Sequence, residues 1–226
     1  MMTGLKSKFQ SCFYCGTQLL PTGSYADGHV VCDTCRQRDA TELIRDHCAR
    51  SEETDAMALA DVLMKSPGFE IHAPYHHYLV PAVLLTAYYN RRDERKMKIA
   101  RLNQALDRAE KVPGGFCGTH GDCGACVGAG IFFSLVTHTT PFSTKTWQLT
   151  NRLTGTCLLK ISEHEGPRCC KRVTFTSIAE AVKFANEHLN ADLPLPGRVV
   201  CDFHRRNEEC REEKCMYYPE DTEKVA

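Results

Sequence analysis

The sequence predicts a mainly α-helical protein, a bundle-like domain carrying a small N-terminal β zinc ribbon. Two Cys-x-x-Cys pairs lie within residues 1–50, apolar residues recur at helical intervals from Glu52 onward, and strand-like alternation is almost absent after the ribbon. The chain has 226 residues, 28 Lys+Arg against 28 Asp+Glu, and 42% hydrophobic residues. Those proportions fit a folded domain with one small appendage and exclude a disordered or fibrous chain. The division that follows is 1–50, zinc ribbon, and 51–226, a cysteine-rich α-helical domain.

The ribbon comes first. Cys12-Phe13-Tyr14-Cys15 and Cys32-Asp33-Thr34-Cys35 are separated by a turn-rich segment with Pro21, Gly23 and Gly28. Each pair can wrap one side of a tetrahedral ion, with Gln18 to Leu20 and His29 to Val31 as short strands that bring the pairs together. A unit this small buries too little apolar surface to fold unaided, so metal binding supplies roughly 10–16 kcal/mol of folding free energy. With Cys12, Cys15, Cys32 and Cys35 all ligating, no position stays open for water or substrate, so the zinc is structural. His29 and Cys48 read as bystanders.

The helices follow in order. Thr54 to Met64 carries Met57, Leu59, Val62 and Leu63 and stops at Ser66-Pro67-Gly68. An apolar helix is expected from Pro81, a residue favoured in a first helical turn. Arg95 to Val112 repeats Ile99, Leu102, Leu106 and Ala109 before Pro113-Gly114-Gly115. Gly128 to His138, Ser143 to His164 and Ser177 to Leu189 complete the set. The last shows a Ser177/Glu180 capping box and a face of Ile178, Val182, Ala185 and Leu189.

Chemically active residues fall in the loops between these helices. Gly114-Gly115-Phe116-Cys117-Gly118-Thr119-His120-Gly121-Asp122-Cys123-Gly124-Ala125-Cys126 places thiols and a histidine among glycines just ahead of a helix. Glycine lets backbone approach a bound group, and helix-start N–H groups favour thiolate, sulfide or carboxylate. Gly166-Pro167-Arg168-Cys169-Cys170-Lys171-Arg172 surrounds a cysteine pair with positive charge, which favours thiolate. Adjacent side chains diverge, so Cys169 and Cys170 are not expected to serve the same iron. Cys201, Cys210 and Cys215 occupy an irregular tail, where they could bind a second metal with His204, complete a cluster, or tie the chain end down. In an antiparallel bundle alternate loops share an end, so these segments can converge.

The spacing of Cys117, Cys123, Cys126, Cys169, Cys170, Cys201, Cys210 and Cys215 matches neither a second ribbon nor the compact run of small ferredoxins. A noncontiguous iron–sulfur cluster fits it, with Cys117, Cys123, Cys170 and a tail cysteine as ligands. His72-Ala73-Pro74-Tyr75-His76-His77 precedes the apolar helix, and His76, His77 and His120 are candidates for general acid or base work.

Taken in order, the paired CxxC ribbon, the HxxxHH loop, GGFCGTHGDCGACVGAG, GPRCCKR and the tail cysteines resemble an uncharacterised cysteine-rich family of anaerobic archaea and bacteria. The resemblance covers Cys12 to Cys215. Some members of that family are joined to methyltransferase domains using S-adenosylmethionine, which implies a methyltransferase or other protein partner. Similar proteins carry a small residue where this chain has Cys126, which weakens Cys126 as a ligand. A more local likeness is to iron–sulfur dehydratases and cysteine desulfidases, whose clusters keep one iron open to a substrate hydroxyl or thiol. It implies a histidine or other base removing a proton while Arg168 or Lys171 holds a substrate carboxylate.

Two functions remain in view. One is a zinc- and iron–sulfur-containing lyase or sulfur-handling enzyme of anaerobic metabolism acting on a small molecule; the other is a noncatalytic metal-binding accessory protein that docks a partner. Nucleic acid is not an expected partner, because net charge zero and a pI near 7.1 leave no basic footprint for phosphate. Nor is a membrane: the longest apolar stretch, Tyr78 to Tyr89, is short and contains Pro81. The amino-terminal residues Met1 to Gln10 lack the apolar core of a secretory signal, so the expected location is the cytoplasm, where the 14 cysteines stay reduced.

Overall fold

The structure, a computed structural model, describes residues 9–19, 24–26 and 29–220. Leu20, Pro21, Gly23 and Gly28, named above in the ribbon, lie outside the described residues. Two short antiparallel hairpins start the chain. β1 (Gln10–Ser11) pairs with β2 (Gln18–Leu19), and β3 (Ser24–Ala26) pairs with β4 (His29–Val31). Each hairpin presents one CxxC pair, and the Phe13 N–H donating to Val30 O at 2.8 Å links them. The second pair leads into a short helix, α1 (Asp33–Gln37), which begins immediately after Cys32.

Everything after is helical. α2 (Ala40–Arg50) is capped by Asp39, whose carboxylate accepts from the Thr41 and Glu42 N–H groups. It ends at Arg50, and Leu43, Ile44 and Cys48 on its inner face are buried against the helical body. α3 (Ala56–Met64) is capped in the same way by Asp55. α4 (His76–Asn90) is the axle of the domain: Leu79 to Ala87 are buried without interruption, and α2, α3, α5, α7 and α9 all pack on it. A helix buried on every side carries no apolar stripe, which explains why this segment shows hydrophobicity without periodicity. It starts at His76 rather than at Pro81, so Pro81 sits inside the helix.

α5 (Arg95–Ala109) returns along α4, and a single turn, α6 (Phe116–Thr119), precedes α7 (Gly124–Val136). The small residues of α7 let it pack closely on α4. A Cβ on Gly128 would lie 2.8 Å from the His77 carbonyl oxygen and 2.8 Å from Pro81 Cδ, so only glycine fits there. α8 (Lys145–Ser162) and α9 (Cys170–Leu189) complete the bundle. α9 begins seven residues before the expected capping box, because its first two turns are buried by the loop carrying Phe69 and by the tail. Ser177 is therefore fully buried in mid-helix and caps nothing.

After α9 the chain is irregular, with two single-turn 3₁₀ helices at His204–Arg206 and Glu212–Lys214. Phe203 and Tyr217 are buried and pack against Phe175 of α9, tilted and edge-on respectively, which fastens this tail to the body. No helix among the described residues is long and apolar enough to cross a membrane.

Candidate metal centre and cavity

In the ribbon, Cys12, Cys15, Cys32 and Cys35 place their sulfur atoms all within 4.8 Å of one another. Backbone N–H groups point at them: Cys32 N lies 3.4 Å from Cys12 Sγ and Cys35 N lies 3.3 Å from Cys32 Sγ. Gly16 turns the first pair back with φ of 71°, a conformation that costs a side-chain-bearing residue. Burial pushes the Cys15 thiol up, but hydrogen bonds with Thr17 and Cys32 outweigh it and bring it down to about 6. Burial and the neighbouring sulfurs push Cys35 strongly upward. One thiolate forms readily and the next is opposed, so a bound cation is what lets all four ionise together. His29 stacks on Phe13 and Cys48 is enclosed in α2, both outside this cage.

The second feature is a cavity of about 880 Å³ at one end of the bundle. α4, α7 and α9 begin there and α8 ends there. The first residues of those three helices, His76 and His77, Gly124 and Ala125, and Cys170, form part of its wall. Three helix starts directed at one space make it favourable for anions, whether thiolate, sulfide or carboxylate. Cys117 and Cys123 from the α5–α7 loop and Cys170 from the start of α9 line it, with Arg168 near its exposed side and Leu158, Ile161 and Val173 as apolar wall.

Cys123 is the residue immediately before α7. A hydrogen bond from Cys126 is the largest influence on it, and with the N–H groups of Ala125 and Cys126 it outweighs burial, bringing Cys123 down to about 7. Cys126 itself is fully buried, 3.5 Å from Ser177 Oγ, and its thiol is pushed strongly upward. The helix start at Gly124, four residues earlier than its periodicity suggests, is what turns Cys126 inward and away from the cavity. Burial raises Cys170 to about 11, against the opposing charge of Arg168.

The histidines take distinct positions. His77 donates from Nδ1 to Val112 O at 3.0 Å, which leaves Nε2 as the bare nitrogen, and its ring lies directly over Gly124. Burial lowers its pKa, so it stays neutral and able to accept a proton. His76 donates from Nδ1 to Ala73 O at 2.9 Å, while its Nε2 is a buried nitrogen with no hydrogen-bond partner. Burial and the Lys171 charge hold it well below the usual range. His120 stacks on Phe116 at the surface and is not part of the lining. Nor is Lys171, which is fully buried, donates to Glu70 O at 3.0 Å and lies over the rings of Phe69 and Phe203; burial lowers it to about 7. Its aliphatic stem and its amine over the two rings make it part of the packing between loop, helix and tail.

The remaining thiols gather elsewhere. Cys169, Cys201, Cys210 and Cys215 surround a small second pocket between the start of α9 and the tail. Cys169 stands before the helix and Cys170 on its first turn, and the two neighbours consequently face different pockets. Burial raises the Cys201 thiol to about 11, and the charges of Cys169, Cys215 and Cys210 act in the same direction. The His72 imidazole, a residue the sequence reading gave no role, ties the cavity loop to this tail through Asn207 Oδ1 at 3.2 Å and Glu209 Oε2 at 2.9 Å.

Fold and sites together define a class: a cysteine-rich helical protein with an N-terminal tetracysteine group able to hold a metal ion. The chain belongs to a family of unknown function, DUF5714, whose model matches residues 44–218. That span takes in the cavity and the tail cysteines but not the four cysteines of the ribbon. No curated protein and no solved structure matches the chain.

Proposed function

We propose that this protein is an iron–sulfur enzyme of the lyase or sulfur-handling type, with structural zinc in the ribbon and a cluster held in the cavity by Cys117, Cys123 and Cys170. One observation carries the reading: three cysteines, two from the α5–α7 loop and one from the start of α9, line a single cavity of about 880 Å³, together with His76, whose buried Nε2 has no partner. A cavity of that size is in the range of small-molecule sites and far larger than a structural ion requires. Three thiolates rather than four suit a cluster that keeps one iron free, and the helix starts favour the negative charge of such a cluster. Bound there, the cluster supplies a Lewis-acidic iron for a substrate hydroxyl or thiol.

The protein's own groups do the rest. His77 accepts the substrate proton at Nε2, because its Nδ1–H is committed to Val112 O. Arg168 pairs with a substrate carboxylate through its two-pronged guanidinium. The apolar wall of Leu158, Ile161 and Val173 keeps bulk water away from the reacting centre. Neither His120 nor Lys171 has a place in this scheme.

The test is anaerobic purification followed by a visible spectrum and assays of iron, acid-labile sulfide and zinc. Cys117→Ser, Cys123→Ser and Cys170→Ser should each lower iron and sulfide while zinc stays. Unchanged iron and sulfide in all three variants, or a wild-type protein holding zinc alone, would overturn the cavity cluster and favour the noncatalytic accessory reading.

A further inference from the structure

The tail cysteines belong to neither the ribbon nor the cavity, yet the fold brings them together from distant points of the chain. Cys169 comes from the residue before α9, Cys201 from the start of the tail, and Cys210 and Cys215 from the two ends of a short loop closed by the Cys215 N–H donating to Glu212 O at 2.8 Å. Cys201 is held at the tail's other end by its N–H donating to Tyr217 O at 2.7 Å. The shared pocket is small, about 20 Å³, room for little more than one water-sized sphere. That excludes an organic substrate and leaves an inorganic centre.

Polar groups around the pocket point at sulfur, as they do in the ribbon. The Glu212 N–H lies 3.4 Å from Cys210 Sγ and Asn207 Nδ2 lies 3.6 Å from Cys169 Sγ. Backbone N–H groups of Lys171 and Arg172 also donate to Cys169, and that of Phe203 donates to Cys201. Sulfur accepts such bonds well when it is a thiolate, and outer-sphere donors of this kind orient the ligands of metal sites. The Arg172 guanidinium, which borders the pocket, adds positive charge that favours a thiolate-rich centre.

We propose that Cys169, Cys201, Cys210 and Cys215 form a separate four-thiolate metal site that staples the tail to the start of α9. Its metal is a single thiolate-preferring ion, zinc, because a pocket of about 20 Å³ has no room for an iron–sulfur cluster. Among the described residues no three of these sulfurs lie within 4.8 Å of one another, whereas all four ribbon sulfurs do, so the tail must draw its sulfurs inward to close on the ion. The site is independent of the cavity cluster, and each stands or falls alone.

The experiment uses the full-length protein purified without oxygen and compares metal content in three backgrounds: wild type, Cys201→Ser/Cys215→Ser, and Cys117→Ser/Cys123→Ser/Cys170→Ser. The tail double variant should lose one zinc, while the cavity triple variant keeps it. Loss of zinc supports the site; loss of iron with sulfide in its place overturns it. Unchanged metal content in the tail variant, or loss of the same centre from the cavity variant, overturns it. Because a tail variant can unfold, the wild-type protein is also alkylated with iodoacetamide before and after removal of metal with a chelator, and the modified cysteines are mapped. Cys169, Cys201, Cys210 and Cys215 should be protected as a group and become reactive together; modification of any of the four before release counts against the cage.

Discussion

Replacing Gly128 with alanine tests the contact on which the cavity rests. Alanine in place of glycine within a helix ordinarily stabilises by about 0.5–1 kcal/mol, because less backbone freedom is lost on folding. Here the added methyl would lie 2.8 Å from the His77 carbonyl oxygen, 2.8 Å from Pro81 Cδ and 3.2 Å from Val80 Cβ. Two of those atoms are backbone or ring and cannot swing aside, so α4 and α7 must separate. Overpacking of this kind costs about 1–3 kcal/mol. Net destabilisation of about 1–2 kcal/mol follows, opposite in sign to the propensity effect. Gly155→Ala, in α8 with nothing within 4 Å of the new methyl, should instead stabilise by about 0.5–1 kcal/mol. Urea unfolding followed by helical circular dichroism reads both. A Gly128→Ala protein as stable as wild type would show that the two helices do not meet at His77 and Pro81, and would remove the basis for placing His77 beside Cys123.

Three further outcomes are expected. Burial and the Arg50 charge lower His47 to about 4, against about 6.5 unfolded, so the unfolded chain takes up the proton first as pH falls. Stability from this group is complete above about pH 6.5 and declines toward pH 4 by on the order of 3 kcal/mol, and His76 and His77, also lowered, act with the same sign. Comparing wild type with His47→Gln by urea unfolding at about pH 7 and about pH 5 isolates it, since acid release of metal is common to both; equal losses in the two proteins would contradict the assignment. Removing the ribbon metal with a chelator, or Cys12→Ser, should expose residues 9–35 to protease while the helical signal persists, because the metal supplies about 10 kcal/mol or more to that unit and little to the bundle; a global loss of helix would show the two parts fold as one. Cys126→Ala should leave iron content unchanged and cost about 1 kcal/mol, the worth of one buried hydrogen bond, while raising the pKa of Cys123 in metal-free protein as read by the pH dependence of its alkylation. Iron lost from Cys126→Ala would return Cys126 to the ligand set.

What the sequence by itself determined is what depends on near neighbours. A tetrathiolate ribbon is written in the spacing of Cys12, Cys15, Cys32 and Cys35, because two residues between ligands is a local geometric requirement. α3 and α5 were legible because their apolar residues recur at helical intervals. α4 was legible only as an apolar run: with every side buried, nothing marked its true start at His76, and Pro81 read as a boundary when it is an interior position packed against Gly128.

The tertiary structure decided how the remaining sulfurs are divided, because that is a matter of distance through space. It set Cys170 with Cys117 and Cys123 in the cavity and Cys169 with Cys201, Cys210 and Cys215 in the tail pocket, a separation fixed by one residue of helix start. It turned Cys126 inward by starting α7 at Gly124, buried Lys171 under Phe69 and Phe203, and left His120 on the surface. In each case the side chain's role depends on which element covers it, and covering elements come from parts of the chain that no local spacing connects.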